Sequence, residues 1–376
     1  MKIPFNKPFL VGKETSYIEQ AVISGQISGN GYFTKKCQHF FENKYGFKKV
    51  LLTTSCTDAL EMCSMLINIK TGDEVIVPSY TFVSTALAFV RQGAKVIFAD
   101  SKPDSPNMDV SKIESLITKK TKAIVVVHYA GIAVDMDSVM ELAHKYNLYV
   151  IEDAAQAIDS FYKGKPLGGI GHLGTFSFHE TKNIISGEGG MLVINDDNLI
   201  ERSEIIWEKG TNRSSFFRGE VNKYEWVDTG SSFLPSEVIA AFLYAQLENL
   251  ERIQRRRKYI WDLYYKGLKV INNKIKLPVI PEYATNNGHM FYITTNSEEE
   301  RIALISYLKQ NGIHSVFHYL SLHKSEYYLK NNNERAELIY SDLYTARLLR
   351  LPFYYELSSE EINRIVEGVI EFYDTY

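Results

Sequence analysis

The chain has 376 residues, 42 of them basic and 45 acidic, for a net charge of -3. That near balance excludes the strongly basic face of a nucleic-acid or membrane-surface binder, and no stretch approaches the about 18 uninterrupted apolar residues of a membrane helix. Three cysteines, Cys37, Cys56 and Cys63, in no metal-ligand spacing, argue against a disulfide framework and for a reducing compartment, which the cytoplasm fits. The start, Met1-Lys-Ile-Pro-Phe-Asn, has no signal-peptide core. The length suits one large α/β domain and a smaller second one.

Residues 1–12 read as an extended arm, followed by helices over 14–24 and 33–45, the second ended by Gly46. Strand and helix signals then alternate. Strands are expected at 50–53, 75–77, 95–99, 123–127 and 149–151, and helices at 57–68, 81–91, 110–117 and 136–146. The strands are continuously apolar rather than alternating, which implies a mainly parallel sheet covered on both faces. An alternating strand runs into Phe176-Ser-Phe-His-Glu-Thr-Lys182-Asn183, closed by Ser186-Gly-Glu-Gly-Gly190. A strand at 191–194 and a helix at 199–209 precede an irregular region, 210–235, too long for a simple connection. One long helix is expected from Ser236 to Tyr265. Beyond it come a strand at 290–293 and helices at 298–310, 335–349 and 359–372, a smaller α+β domain. The division falls at 1–250 and 251–376. The basic run Arg252 to Lys258 reads as a solvated helix face or as a contact for a phosphate or acidic partner.

In open α/β sheets ligands gather at the carboxyl ends of the strands. Lys182 follows such an end, between Ser177 and a glycine-rich turn, as a buried reactive amine would be presented. Asp153 follows the 149–151 strand. A strand-end aspartate paired with a lysine suggests pyridoxal phosphate, with the lysine as Schiff-base former and the carboxylate on the pyridinium nitrogen. Thr53-Thr-Ser-Cys56-Thr57 joins a strand to a helix and could hold a phosphate at the helix start, although serine and threonine also serve as ordinary caps. Tyr80 could lie flat on a planar cofactor or simply pack in the core. Gln156, one turn after Asp153, could reach a ring substituent or cap a helix. Ser177 could donate to the phosphate. Arg213 and Arg218 could pair with a diphosphate, and Asp228-Thr-Gly-Ser231-Ser232, read as opening the long helix, could cradle an anion. His179, His318 and His323 show no zinc spacing; His318 and His323 read as pocket lining or as structural histidines.

At these residues the chain resembles the DegT-type nucleotide-sugar aminotransferases, a branch of the fold-type I pyridoxal-phosphate enzymes, over essentially its whole length. The resemblance implies a large cofactor-binding domain with a mainly parallel mixed sheet flanked by helices, as in aspartate aminotransferase. It implies Lys182 as the Schiff-base lysine, Asp153 as pyridinium partner, Tyr80 as stacking aromatic and Gln156 as the ring-oxygen neighbour. Cys56, Thr57 and Ser177 become phosphate contacts, and Arg213, His318 and His323 candidate substrate contacts. Where the wider family has an asparagine reaching the phosphate of the other subunit, this chain has Ser232; a homodimer with shared sites is implied. Phe178-His-Glu-Thr-Lys-Asn183, Lys209-Gly-Thr-Asn-Arg213 and Asp228-Thr-Gly-Ser-Ser232 resemble the subgroup that makes dTDP-4-amino-4,6-dideoxygalactose for enterobacterial common antigen. The expectation is amino transfer from glutamate to C4 of a nucleotide-linked 4-keto-6-deoxy sugar, with 2-oxoglutarate as co-product and no metal, nucleic acid or membrane. C3 amination, a UDP or GDP carrier, and a cofactor-binding regulator are the alternatives. In the related sugar dehydratases the lysine position is a histidine, which Lys182 argues against.

Overall fold

The computed structural model describes residues 2–332 and 336–375. Helices α1 (Glu14–Ile23) and α2 (Tyr32–Tyr45) come first. Gly46 ends α2 with a φ of 70°, a left-handed turn that glycine adopts without strain. The N-terminus of α2 begins at Gly31 and has no capping side chain of its own. Its orphan N–H groups are met instead by Glu237, whose buried carboxylate accepts from Gly31 (2.9 Å), Phe33 (2.6 Å) and Thr34 (3.1 Å).

The alternation expected from the sequence follows: β1 (Lys49–Thr53), α3 (Cys56–Leu66), β2 (Glu74–Pro78), α4 (Ser84–Val90), β3 (Lys95–Ala99), β4 (Thr121–Val127), α5 (Met136–Tyr146) and β5 (Tyr149–Asp153). Residues Val110–Leu116 form a 3-10 turn rather than an α-helix. A short hairpin, β6 (Phe161–Tyr162) and β7 (Lys165–Pro166), was not expected; β8 (Leu173–Ser177) and β9 (Gly190–Ile194) complete the sheet. The order is β1-β9-β8-β5-β4-β2-β3, with β9 antiparallel to both neighbours and the remaining pairs parallel. Both faces are buried, which explains the continuous apolar runs. Val50, Leu52, Ile76, Ile124 and Val126 enter one core, and Leu51, Val75, Val77, Ala123 and Val125 the other.

Helices α6 (Ile200–Trp207) and α7 (Arg213–Phe217) precede α8 (Glu237–Leu247) and α9 (Leu250–Leu268). The single long helix read from the sequence is thus two. At the break, the Asn249 side-chain amide donates to the Ala245 carbonyl (3.1 Å), a local bond that competes with helix continuation. The small domain contains β10 (Tyr292–Thr294), α10 (Glu298–Gln310), α11 (Glu326–Asn331), α12 (Ile339–Arg347), β11 (Leu348–Arg350) and α13 (Ser359–Thr375). The helix expected from 335 to 349 begins outside the described residues, and its last two residues belong to strand β11, antiparallel to β10. Helix α9 spans the junction: Leu250 and Ile253 pack in the large core, Ile260 and Tyr264 in the small one, which Ile3 of the arm also joins. Between the domains lies an aromatic cluster in which Tyr80 and Tyr129 meet Tyr292 and Tyr344. Among the described residues no helix is long and apolar enough to cross a membrane.

Candidate active site

Asp153, the last residue of β5, is buried. Its Oδ2 accepts 2.7 Å from Thr85 Oγ1 on α4, and its Oδ1 accepts 3.2 Å from the Ala155 N–H. Burial pushes its carboxyl pKa up, against those two bonds and the nearby Lys182 and His128. His128 and Glu152 lie behind it, fully buried and 2.9 Å apart. Val134 N–H donates to His128 Nδ1 (3.2 Å), so the ring proton sits on Nε2 and is donated to Glu152. Glu152 also accepts from the Gly168, Ile170 and Gly171 N–H groups. The pair is therefore a structural brace for the strand end.

Lys182 is half-buried in the loop between β8 and β9, which Ser186 N–H to Phe178 O (2.7 Å) closes. Burial lowers the basicity of its amine, opposed by Cys56 and Asp153 and reinforced by Arg350. The same burial, with Asp153, pushes the Cys56 thiol up and keeps it protonated. Lysine, aspartate and cysteine thus share one electrostatic neighbourhood. The loop is fixed by Asn183: Nδ2 donates to Gln254 Oε1 and Asn287 O (2.9 Å each), and Oδ1 accepts 2.9 Å from His289 Nδ1. His289 is held well below its usual pKa by burial, with Lys182, Arg257 and Arg350 adding to the effect.

The phosphate candidates converge on one sheet edge. Ser177 of β8 sits opposite Gly190 of β9, which sits opposite Thr53 of β1. A Cβ on Gly190 would stand 2.5 Å from the Cys56 nitrogen, so the missing side chain lets the start of α3 reach the strands. Ser55 caps α3 by accepting from Asp58 N–H, and Thr57 Oγ1 lies 2.8 Å from Ser84 Oγ.

Gln156 is oriented at both ends: Oε1 accepts from Ala130 N–H (2.6 Å) and Nε2 donates to the Tyr319 hydroxyl (2.9 Å). Tyr80, by contrast, is 1% exposed, its ring enclosed by Tyr129, Tyr319 and Tyr344 at 5.6–5.9 Å. The aromatic with an open ring at this strand end is Phe82, 56% exposed and 6.3 Å from Tyr319. His318 stacks on Tyr319 (3.5 Å), sits 2.7 Å from the Tyr129 hydroxyl through Nδ1, and is held well below its usual pKa by burial, Arg350 and Lys182.

The other candidates have partners of their own. His323 is buried with Nδ1 2.7 Å from Ser79 Oγ, and its far nitrogen faces Asp342, so it pins the small domain to β2. Asp228–Ser232 does not open a helix, since Ser236 caps α8; Asp228 is taken by Arg202 (2.7 Å) and Ser232 is exposed beside Glu208. Arg213 lies 3.8 Å from Glu208. Arg218 is engaged by Glu204 and Glu220 (2.7 Å each) rather than left open for a diphosphate. Sequence reading placed Tyr319 beside His318 as pocket lining but missed Thr85, Phe82, His289 and Arg350, whose relation to Lys182 and Asp153 exists only after folding.

A mixed sheet of this order, with a lysine loop and a strand-end carboxylate at one edge and a small α+β domain beside them, is the fold-type I aminotransferase arrangement. The chain matches the DegT/DnrJ/EryC1/StrS aminotransferase family over residues 9–370 and belongs to it. It is therefore an enzyme, a sugar aminotransferase. It is 34% identical to GDP-perosamine synthase of Escherichia coli O157:H7, covering 99% of this chain and 98% of the relative. It is 30% identical to the spore coat polysaccharide biosynthesis protein SpsC of Bacillus subtilis, covering 98% and 96%. The PLP form of the putative sugar aminotransferase Spr1654 from Streptococcus pneumoniae superposes with a TM-score of 0.91 at 26% identity, covering 100% and 99%.

Proposed function

We propose that this enzyme transfers an amino group from glutamate to C4 of a nucleotide-linked 4-keto-6-deoxy sugar, dTDP-4-dehydro-6-deoxy-D-glucose, giving dTDP-4-amino-4,6-dideoxy-D-galactose. The observation that carries the reading is the half-buried Lys182 amine of lowered basicity, coupled to the buried Asp153 carboxylate. The cofactor is pyridoxal 5′-phosphate, and the residues present fit it. A less basic amine suits covalent attachment, a buried carboxylate suits a ring N–H, and the start of α3 with Cys56, Thr57 and Ser177 suits a phosphate. Phe82, rather than Tyr80, offers the open ring for stacking. When bound, the cofactor supplies an electron sink for the bond broken next to the transferred nitrogen.

The chain's own groups then have defined tasks. Lys182 Nζ takes a proton from Cα of the amino donor and, in the second half-reaction, delivers one to C4 of the sugar. Its lowered basicity raises the fraction of free amine available for that. Asp153, steadied by Thr85 and Ala155, holds the ring-nitrogen proton. Gln156 is oriented to meet a ring substituent, and His318, kept uncharged, and Arg213 serve the sugar nucleotide. Ser232 would serve the phosphate of the neighbouring subunit in a homodimer. The free cysteines Cys37, Cys56 and Cys63 accord with a cytoplasmic enzyme.

The sugar assignment rests on the motifs Phe178–Asn183, Lys209–Arg213 and Asp228–Ser232. A GDP-linked substrate is the second reading, favoured by the similarity to GDP-perosamine synthase. Incubation with glutamate and dTDP-, UDP- and GDP-linked 4-keto and 3-keto sugars, with products identified by NMR, tests both. The dTDP-4-amino sugar is expected; a GDP product supports the second reading, and a C3-amino product contradicts both.

A further inference from the structure

The chain has three tryptophans, and two of them, Trp207 and Trp261, are buried at 2% and 6% exposure. Trp226, in the irregular region after α7, is 81% exposed. Its ring is nonetheless fixed, because Nε1 donates 2.7 Å to the Asp228 carbonyl. The backbone beneath it is fixed too. Trp226 pairs with Thr211 across an antiparallel bridge, Asn212 and Glu225 exchange hydrogen bonds beside it (2.7 and 3.3 Å), and Val227 N–H donates to the Gly210 carbonyl (2.8 Å). Arg218 ties the same segment to Glu204 of α6. The region is a braced platform rather than a slack connection. A large apolar ring held rigidly in water gains nothing for the fold, which marks it as a surface for a ligand.

A cation stands beside it. Arg213, two residues past Thr211, lies 5.2 Å over Phe217 and 6.0 Å over Tyr224. Its acidic neighbour, Glu208, is 3.8 Å away, beyond hydrogen-bond reach, so the guanidinium N–H groups remain free to donate. We infer that the open face of Trp226 stacks on the nucleobase of the sugar nucleotide while Arg213 meets its diphosphate. The inference deepens the sugar-nucleotide reading above and rests on it. A flat apolar ring next to an unspent cation matches a ligand that is itself a flat ring next to an anion. Diagonal neighbours in an antiparallel pair, as Arg213 and Trp226 are, stand about 7–8 Å apart, the reach of one pentose between a base and its phosphate. Glutamate has no ring and leaves Trp226 uncovered. Because the indole N–H is spent on Asp228, Trp226 offers only its face, on which any base can stack. The contact therefore adds affinity for the carrier without choosing between dTDP and GDP. Ser232, whose backbone pairs with Glu208 at the foot of the platform, is the residue read above as reaching the neighbouring subunit. On that reading the hexose beyond the diphosphate faces the lysine of that subunit.

The test uses the holoenzyme and acrylamide, a neutral quencher of exposed indoles. With Trp207 and Trp261 buried, quenching reports Trp226, and W226F should lose it. dTDP and GDP should each suppress most of the quenching at saturation, and inorganic pyrophosphate should not. Quenching that neither nucleotide suppresses overturns the inference, and suppression by one nucleotide alone contradicts a contact made through the ring face. Equal suppression by pyrophosphate leaves only an anion site and overturns it too. A Trp226 already shielded from acrylamide before nucleotide is added assigns the face to a second copy of the chain, which also overturns it. By calorimetry, W226A should bind dTDP roughly 5- to 150-fold more weakly, the worth of one stacked base, and W226F should recover most of the loss. Unchanged dTDP affinity in W226A counts against the inference. Wild-type enzyme that fails to react with glutamate would instead sink the aminotransferase reading, whatever the nucleotides do at Trp226.

Discussion

Thr85 Oγ1 donates a 2.7 Å hydrogen bond to Asp153 Oδ2, joining the first turn of α4 to the end of β5. The bond favours the ionised carboxylate against burial, which pushes the other way. In Thr85→Val the carboxyl loses this donor and its pKa rises further. Loss of one hydrogen bond to a charged group, about 1.5–3 kcal/mol, should weaken cofactor affinity by roughly 10- to 100-fold. Titration of apo T85V with pyridoxal phosphate, followed by absorbance, measures this; unchanged affinity would show that the bond does not serve the cofactor.

Gly190 has a different kind of control. Gly190→Ala places a Cβ 2.5 Å from the Cys56 nitrogen and 2.6 Å from the Ser55 oxygen, both backbone atoms that cannot swing aside. The start of α3 must shift away from β9, at a cost of about 1–3 kcal/mol. Urea unfolding should register that loss, and inorganic phosphate should protect the variant less than the wild type. A variant with wild-type stability would mean that the backbone absorbs the methyl group elsewhere.

His289 gives the protein a pH dependence with a definite sign. Its native pKa lies well below 6.5 because burial and the cations Lys182, Arg257 and Arg350 disfavour its charge. Below pH 6.5 the unfolded chain therefore binds a proton that the native state refuses, and stability falls as pH falls, by up to about 1.4 kcal/mol per unit. His289→Gln can still donate to Asn183 but has no such titration. Between pH 7 and 5.5 the wild type should lose about 1 kcal/mol more than the variant, measured by urea unfolding at both pH values. Parallel losses would exclude His289 as the source.

Much of this fold is legible before folding because the sheet is covered on both sides. Strands such as Thr121–Val127 must then be apolar throughout, and the polar residues that follow them mark the carboxyl ends where Asp153 and Ser177 sit. The break at Asn249 is not legible, because it depends on a side-chain amide competing with a helical bond. Nor is the choice between Tyr80 and Phe82: past the end of β2 the period-two alternation stops, and only the tertiary packing decides which ring stays open. Thr85 and Asp153 are 68 positions apart, and His289 and Asn183 are 106 apart. No local pattern relates such residues, so the second layer of the site emerges only from the folded chain. The same holds for Arg218, whose carboxylate partner Glu204 lies on α6.

The role of Lys182 is open to direct measurement. Reduction of the wild-type holoenzyme with borohydride, followed by proteolysis and mass spectrometry, should find a pyridoxyl group on the peptide that carries Lys182 and on no other. Lys182→Ala should show none, and its turnover should fall by at least about 10²- to 10⁴-fold, the range of a lost general acid–base. A pyridoxyl group on a different lysine, or amino transfer at the wild-type rate in Lys182→Ala, would contradict the assignment of the chemistry to this residue.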